Sequence, residues 1–151
     1  MPYYCIYNYC MHMNEDYFLA VLSLIKTGHA ITHRVSLELK PYGITEPQFN
    51  VLRILRGKKG PMSVFEIQEN MIQKSSNVTR IIDKLEKKSL VQRQECKSNR
   101  RKMDIEITAA GLDYLQQLDR VVYTLHEPLM ANITSVEAKQ LTNLIQKFTS
   151  I

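Results

Sequence analysis

The groups best suited to hold a polyanion are gathered in one stretch of this chain. Between Lys74 and Lys102 stand ten basic residues (Lys74, Arg80, Lys84, Lys87, Lys88, Arg93, Lys97, Arg100, Arg101 and Lys102) against three acids, Asp83, Glu86 and Glu95. The stretch carries +7, and the rest of the chain sums to −2. Lysine and arginine neutralise phosphates without regard to sequence, and arginine can also pair bidentately with guanine. Beside Arg80 lie Ser75, Ser76, Asn77 and Thr79, short donors and acceptors that suit base edges or phosphate oxygens. Further on, Lys97, Arg100, Arg101 and Lys102 form a second basic group, and its arginines suit a narrow minor groove, where negative potential is enhanced. The simpler alternative is a solvated charged face; for Lys87 and Lys88 it takes the form of a helix end favoured by the macrodipole.

Other chemistry finds less support. His29 and His33 have the i, i+4 spacing of helical metal ligands, but no third ligand stands beside them, so no metal site is expected. Cys5 and Cys10 lie in a tyrosine-rich N-terminal segment; Cys96 borders the basic stretch, where its thiol pKa could fall. No paired acid–base constellation, nucleophile elbow, phosphate loop or CxxC is present. Neither catalysis nor a cofactor is expected.

The bulk properties agree with a globular chain. Of its 151 residues 44% are hydrophobic and 23% charged, with a formal net charge of +5, which is ordinary globular usage with an anionic partner implied. No run approaches the roughly 20 apolar residues of a spanning helix, so no membrane partner is expected. The segment MPYYCIYNYCMHM has no basic residue before its apolar positions and does not read as a secretory signal. Three scattered cysteines fit a reducing cytoplasm.

The elements that must position these groups follow from periodicity and punctuation. Residues 1–13 form an appendage without a helical or strand period, expected to be disordered. Residues 14–40 read as one long helix: Asn14 caps it, Glu15 and Asp16 suit its first turn, and Phe18, Leu22, Ile25, Ile31, Val35 and Leu39 stripe it. Pro41, Tyr42 and Gly43 stop it. Three shorter helices follow. Thr45–Gln48 and Ser63–Glu66 are capping boxes for the first two, with Gly57 and Gly60 ending the first. Ser75 is the expected cap of the third, on which Val78, Ile81, Ile82 and Leu85 form one apolar stripe. The opposite face then presents Ser76, Asn77, Thr79, Arg80, Asp83, Lys84 and Lys87. Period two takes over at Leu90–Glu95 and again at Met103–Thr108, two strands around the seven-residue loop CKSNRRK. A helix from about Thr108 carries Leu112, Leu115, Leu118, Val122 and Leu125, with a break at Pro128. Thr134–Glu137 is a third box, opening a terminal helix with Leu141, Leu144, Ile145 and Phe148.

The fold class is therefore mainly α with a small β-hairpin. Three helices and a basic hairpin make a winged helix-turn-helix over residues 41–108. The helix of residues 14–40 and the helices of 109–151 have apolar stripes that one domain cannot cover, so they are expected to be dimerisation helices, since most soluble oligomers are symmetric dimers.

The segments KSSNVTRIIDKLEKKSLVQR (74–93) and NRRKMDIEITAAG (99–111) resemble the MarR family of transcriptional regulators. The first resembles its recognition helix running into the first wing strand, the second its D-x-R wing motif with the strand, Thr and Gly that open the next helix. The resemblance runs from about Asn14 to the C-terminus. It implies that Arg101, at the motif's R, is the minor-groove residue. Asn99 replaces the Asp that braces the wing arginine, and Ser89 replaces the Gly after the recognition helix, where serine fits less comfortably. The resemblance also implies a homodimer on a pseudo-palindromic operator in double-stranded DNA, repressing until a small aromatic or anionic ligand binds between the DNA-binding and dimer parts. Two alternatives remain at this point: a thiol-based sensor of the same fold acting through Cys5 and Cys10, and a winged-helix protein-interaction module.

Overall fold

The computed structural model describes residues 15–72, 77–96 and 99–149; for residues 96, 99–102, 129, 130 and 149 it describes the backbone alone. The chain divides into two compact units, residues 1–34 and 35–151.

Helix α1 spans Glu15–Leu39 and crosses that division. Its first turn holds Glu15 and Asp16, acids that complement the positive end of the helix dipole. Within the first unit, Tyr17, Leu19, Val21, Ile25 and Ile31 are all exposed.

The second unit begins with the last turn of α1, where Leu39 is fully buried. Proline then ends the α-helical ladder as expected: Lys40–Tyr42 tighten into a 3-10 turn with Pro41 in it, and Gly43 adopts a left-handed φ of 64°. Helix α2 (Glu46–Lys58) starts at the expected box, with Thr45 N–H donating to Gln48 Oε1 at 3.0 Å. Its end differs from expectation. Gly57 remains helical, and Lys59, with φ 54°, takes the left-handed closing position.

Helix α3 (Val64–Asn70) opens at the Ser63 box: Ser63 N–H donates to Glu66 Oε2 at 2.9 Å, and Glu66 N–H donates to Ser63 Oγ at 3.2 Å. Helix α4 (Val78–Glu86) begins after Asn77; the expected cap Ser75 lies outside the described residues.

The expected hairpin is one part of a three-stranded antiparallel sheet in the order β1-β3-β2. Strand β1 is the pair Met62–Ser63, β2 is Val91–Cys96 and β3 is Asn99–Ile107. Met62 lies opposite Ile105, and Val91 opposite Ile107. Two residues carry no alternation, so β1 has no sequence signature.

The hairpin arms are also longer than the alternating residues suggest. Asn99, Arg100, Arg101 and Lys102 lie on β3 rather than in the loop, and Cys96 pairs with Asn99 across an irregularity after Glu95. Backbone pairing does not require a buried face. Ile105 is fully buried but Met103 is already exposed, so beyond it the ribbon has no apolar period to announce it.

Helix α5 (Ala109–Asn132) continues through Pro128, and α6 (Ser135–Thr149) follows. The expected break is absent: the helix is continuous on both sides of Pro128, although proline removes one ladder bond and crowds the preceding turn. The α6 box forms as expected, with Thr134 N–H and Oγ1 both donating to Glu137 Oε2 at 2.7 Å.

The core sits where α2, α3, α4, the sheet and α5 converge, with Leu52, Ile67, Ile82, Ile105 and Leu115 fully buried. Burial of each such side chain contributes about 1.5–3 kcal/mol before the entropy of ordering it. The Thr108–Gly111 junction fixes α5 to this core. Thr108 N–H donates to Leu90 C=O at 3.1 Å, its hydroxyl donates to Ser89 C=O at 2.8 Å, and Gly111 N–H donates to Thr108 Oγ1 at 3.0 Å. A Cβ on Gly111 would stand 2.1 Å from the Leu90 carbonyl oxygen, so no larger residue fits here.

Candidate nucleic-acid interface

Helix α4 presents its two faces as its residue spacing requires. Val78, Ile82 and Leu85 are buried and Ile81 is half-buried against the core. Asn77, Thr79, Arg80, Lys84 and Lys87 are exposed. Hydroxyl, amide, guanidinium and ammonium groups are therefore offered to solvent from one nine-residue helix and its two capping residues. Its position is set by aliphatic packing on the other side.

Asp83 is the exception on that face. Arg93 of β2 donates through Nη2 to Asp83 Oδ1 and through Nη1 to Glu86 Oε2. The hydrogen bond to Asp83 is the main reason the Arg93 pKa is raised, with both carboxylates adding to the effect and partial burial opposing it. Asp83 therefore holds the wing strand to the helix rather than reading a partner. The bond also draws two of the three acids of the basic stretch into pairing with one of its cations. Partly exposed ion pairs are individually weak, but two charge-assisted bonds from one fork give direction as well as attraction. The signal in the sequence was the D-x-x-E spacing on one helix turn, followed seven residues later by arginine on a strand.

The helix also ends in a way that places the wing. Ser89 N–H donates to Glu86 C=O at 2.8 Å and Leu90 N–H to Leu85 C=O at 3.0 Å, a Schellman closure with Ser89 in the left-handed region at φ 58°. Serine thus occupies the conformation that glycine would adopt at no steric cost. Across the wing, Glu106 Oε2 accepts from Gln92 Nε2 at 3.2 Å and from Gln94 Nε2 at 3.3 Å.

The structure brings Asn77, Thr79, Arg80 and Lys84 together on one helix. It places the backbones of Arg100, Arg101 and Lys102 on the adjoining ribbon. Their side chains, together with Ser75, Ser76, Lys97, Cys5 and Cys10, lie outside the described residues. Among the described residues no group of three or more His, Cys, Asp or Glu could hold a metal ion, and no helix is long and apolar enough to cross a membrane. A groove of about 420 Å³ opens beside α2 and α3, lined by Arg53, Ile54, Gly57, Lys58, Met62, Glu66 and Asn70. Lys58 and Glu66 pair there at 3.7 Å.

Comparison with known proteins places this geometry. Residues 44–103, which span α2 through most of the wing, match the model of the MarR family. Over 124 residues the chain is 28% identical to the HTH-type transcriptional regulator PapX of Escherichia coli, covering 82% of this chain and 76% of that protein. The apo structure of wild-type MarR from E. coli superposes with a TM-score of 0.69 at 26% identity, covering 83% of this chain and 93% of the other. An organohalide-sensing transcriptional regulator, RdhR-CbdbA1625, solved with 2,4-dichlorophenol bound, shares the fold with a TM-score of 0.75 at 19% identity, covering 91% of this chain and 80% of the other.

Proposed function

We propose that this chain, a member of the MarR family of DNA-binding transcriptional regulators, acts as a homodimeric repressor that reads a pseudo-palindromic operator and releases it on binding a small ligand. Proteins of this family are non-enzymatic. The observation that carries the reading is the two-faced packing of α4: aliphatics in the core, and Asn77, Thr79, Arg80 and Lys84 on the outside beside a basic ribbon.

In this reading α4 enters the major groove. Its first exposed residues, Asn77, Thr79 and Arg80, with Ser75 and Ser76 before them, meet base edges or nearby phosphates, while Lys84 contacts the backbone. Lys97, Arg100, Arg101 and Lys102 belong to the wing, with Arg101 entering the minor groove. The exposed stripes of α1 and α6 supply the dimer contacts, so two copies of α4 address grooves about 34–36 Å apart. The ligand is a small aromatic or anionic molecule; 2,4-dichlorophenol bound to RdhR-CbdbA1625 is a precedent on this fold.

The test is selection of bound fragments from genomic DNA, followed by titration of the selected duplex at several salt concentrations. Sequence preference together with a steep salt slope supports a regulator; no retardation of any duplex at low salt excludes it. Arg101→Ala should weaken binding to the selected operator by at least about 1 kcal/mol. Unchanged affinity at matched salt removes this residue from the interface.

A further inference from the structure

Two consecutive carbonyls in the turn after α1 are each held by a distant side chain. Tyr42 C=O accepts from the hydroxyl of Tyr114 on α5, and Gly43 C=O accepts from Lys88 Nζ, which emerges at the end of α4. The partners are 72 and 45 residues apart, so no local propensity produces either bond.

Both sides of this clasp are anchored. Buried Leu39 and Ile44 flank the turn, and the left-handed Gly43 donates its N–H to Lys40 C=O at 3.0 Å, which fixes the direction of the carbonyls. Lys88 leaves the Schellman closure of α4 between buried Leu85 and Leu90. Tyr114 stands beside buried Leu115, one turn beyond the tight contact of Gly111 with Leu90. A lysine at the end of a recognition helix ordinarily offers its charge to phosphate or solvent. Here the ammonium is directed at a backbone carbonyl of the turn, a charge-assisted bond.

We propose that Lys88 and Tyr114 are positioning residues: through the Tyr42–Gly43 turn they fix the axis of α4 against α5, so that Lys88 contributes sequence discrimination rather than a phosphate contact. This rests on the DNA-reading function above. Base-edge contacts tolerate displacement of only about 0.5 Å, whereas attraction to the phosphate backbone survives a tilted helix. Loss of the clasp therefore costs specific binding and spares non-specific binding.

The test titrates the full chain against a selected operator duplex and a random-sequence duplex of equal length, by fluorescence anisotropy at three salt concentrations. Lys88→Met keeps the aliphatic stem and removes the ammonium. It should lower operator affinity about tenfold, leave the random duplex within about twofold, and leave the salt slope unchanged. Tyr114→Phe should act in the same direction, and the double variant should fall no further than the weaker single variant, because the two bonds serve one turn. Equal loss on both duplexes with a slope shallower by about 0.9 makes Lys88 a phosphate contact and overturns the proposal, as does unchanged operator affinity. If the unaltered chain binds neither duplex, DNA reading itself fails, and amide exchange in the free protein decides the clasp. Lys88→Met should then speed exchange at Ser89 and Leu90 at least about fivefold, and unchanged exchange overturns the clasp.

Discussion

Helices α4 and α6 both carry apolar stripes, sharper on α4, and finish them differently. On α4, Ile82 and Leu85 are fully buried within the chain, whereas on α6 Val136 is 62% and Leu144 55% exposed. The part of α1 in the first unit resembles α6, with Tyr17 and Ile25 more than half exposed. Helical periodicity states which face is apolar; it does not state which molecule covers it. The winged-helix region completes its core within the chain, with Leu115 and Leu118 of α5 in it. The stripes of α1 and α6 remain open, and at about 1.5–3 kcal/mol per large aliphatic buried, a second copy gains substantially by covering them.

The largest expected effect tests how closed the closed region is. Gly111→Ala places a methyl 2.1 Å from the Leu90 carbonyl oxygen, against backbone that is itself hydrogen-bonded to Thr108. Overpacking of this kind costs about 1–3 kcal/mol and sometimes more; the upper end is expected because backbone cannot step aside as a flexible side chain can. Urea denaturation measures it. A loss below about 1 kcal/mol means that α5 yields readily and that the junction is not a fixed point of the fold.

Next comes the open region. If α6 forms the proposed dimer contact, Leu141→Glu combined with Leu144→Glu should raise the dimer dissociation constant at least about 100-fold, since two large exposed aliphatics are replaced by charges that would have to be buried. The same variant should leave the helical content of the winged-helix region unchanged. Sedimentation and circular dichroism separate the outcomes. A dimer that persists shows that α6 is not the contact surface, and loss of all structure shows that the two regions are one folding unit.

The same contrast governs how much was legible in the sequence. Capping boxes at Thr45, Ser63 and Thr134 were readable because the donors and acceptors lie three residues apart, and each marks the start of its helix in the structure. The buried face of α4 was readable because one amphipathic stripe dictates it. Features created by distant contacts were not. The two-residue strand β1 exists because β3 passes beside it. Asp83 looked like part of a DNA-facing surface until Arg93 arrived from another element. The full extent of the wing is not legible because Asn99, Arg100, Arg101 and Lys102 pair through the backbone with no alternation of polar and apolar residues. The bond of Lys88 is not legible because its acceptor, Gly43, is 45 residues away.

A smaller effect tests whether the closed region is fully optimised. Ser89 holds φ 58° at the end of α4, where any side chain carries a steric penalty. Ser89→Gly should stabilise the protein by about 0.5–1 kcal/mol, the relief of strain being partly offset by the greater freedom of glycine in the unfolded chain. Its hydrogen bonds are backbone groups, including the carbonyl that accepts from Thr108, and all of them remain available. A destabilised variant would mean that the serine side chain makes a contribution larger than the strain.

The smallest effect compares one motif in both settings. Glu66 and Glu137 sit at the same position of the same box, and in each the backbone N–H of the capping residue, followed by its hydroxyl, holds the carboxyl pKa below the ordinary 4.5. A depressed carboxylate contributes stability that is complete above the unfolded-state value and is lost as pH falls through the lower folded value. Both caps should therefore persist at pH 4.5 and weaken below it, with the Ser63 and Thr134 amide resonances reporting the two midpoints. The boxes diverge when the dimer is broken. Glu66 is held in place by a helix whose Ile67 is fully buried, whereas no side chain of α6 is buried within the chain among its described residues. In the Leu141→Glu, Leu144→Glu monomer, the Glu137 midpoint should rise toward 4.5 as α6 frays, while that of Glu66 stays low. A Glu137 midpoint that does not move in the monomer would mean that α6 is held by its own chain, and the contrast between closed and open regions would fail at the helix that shows it most clearly.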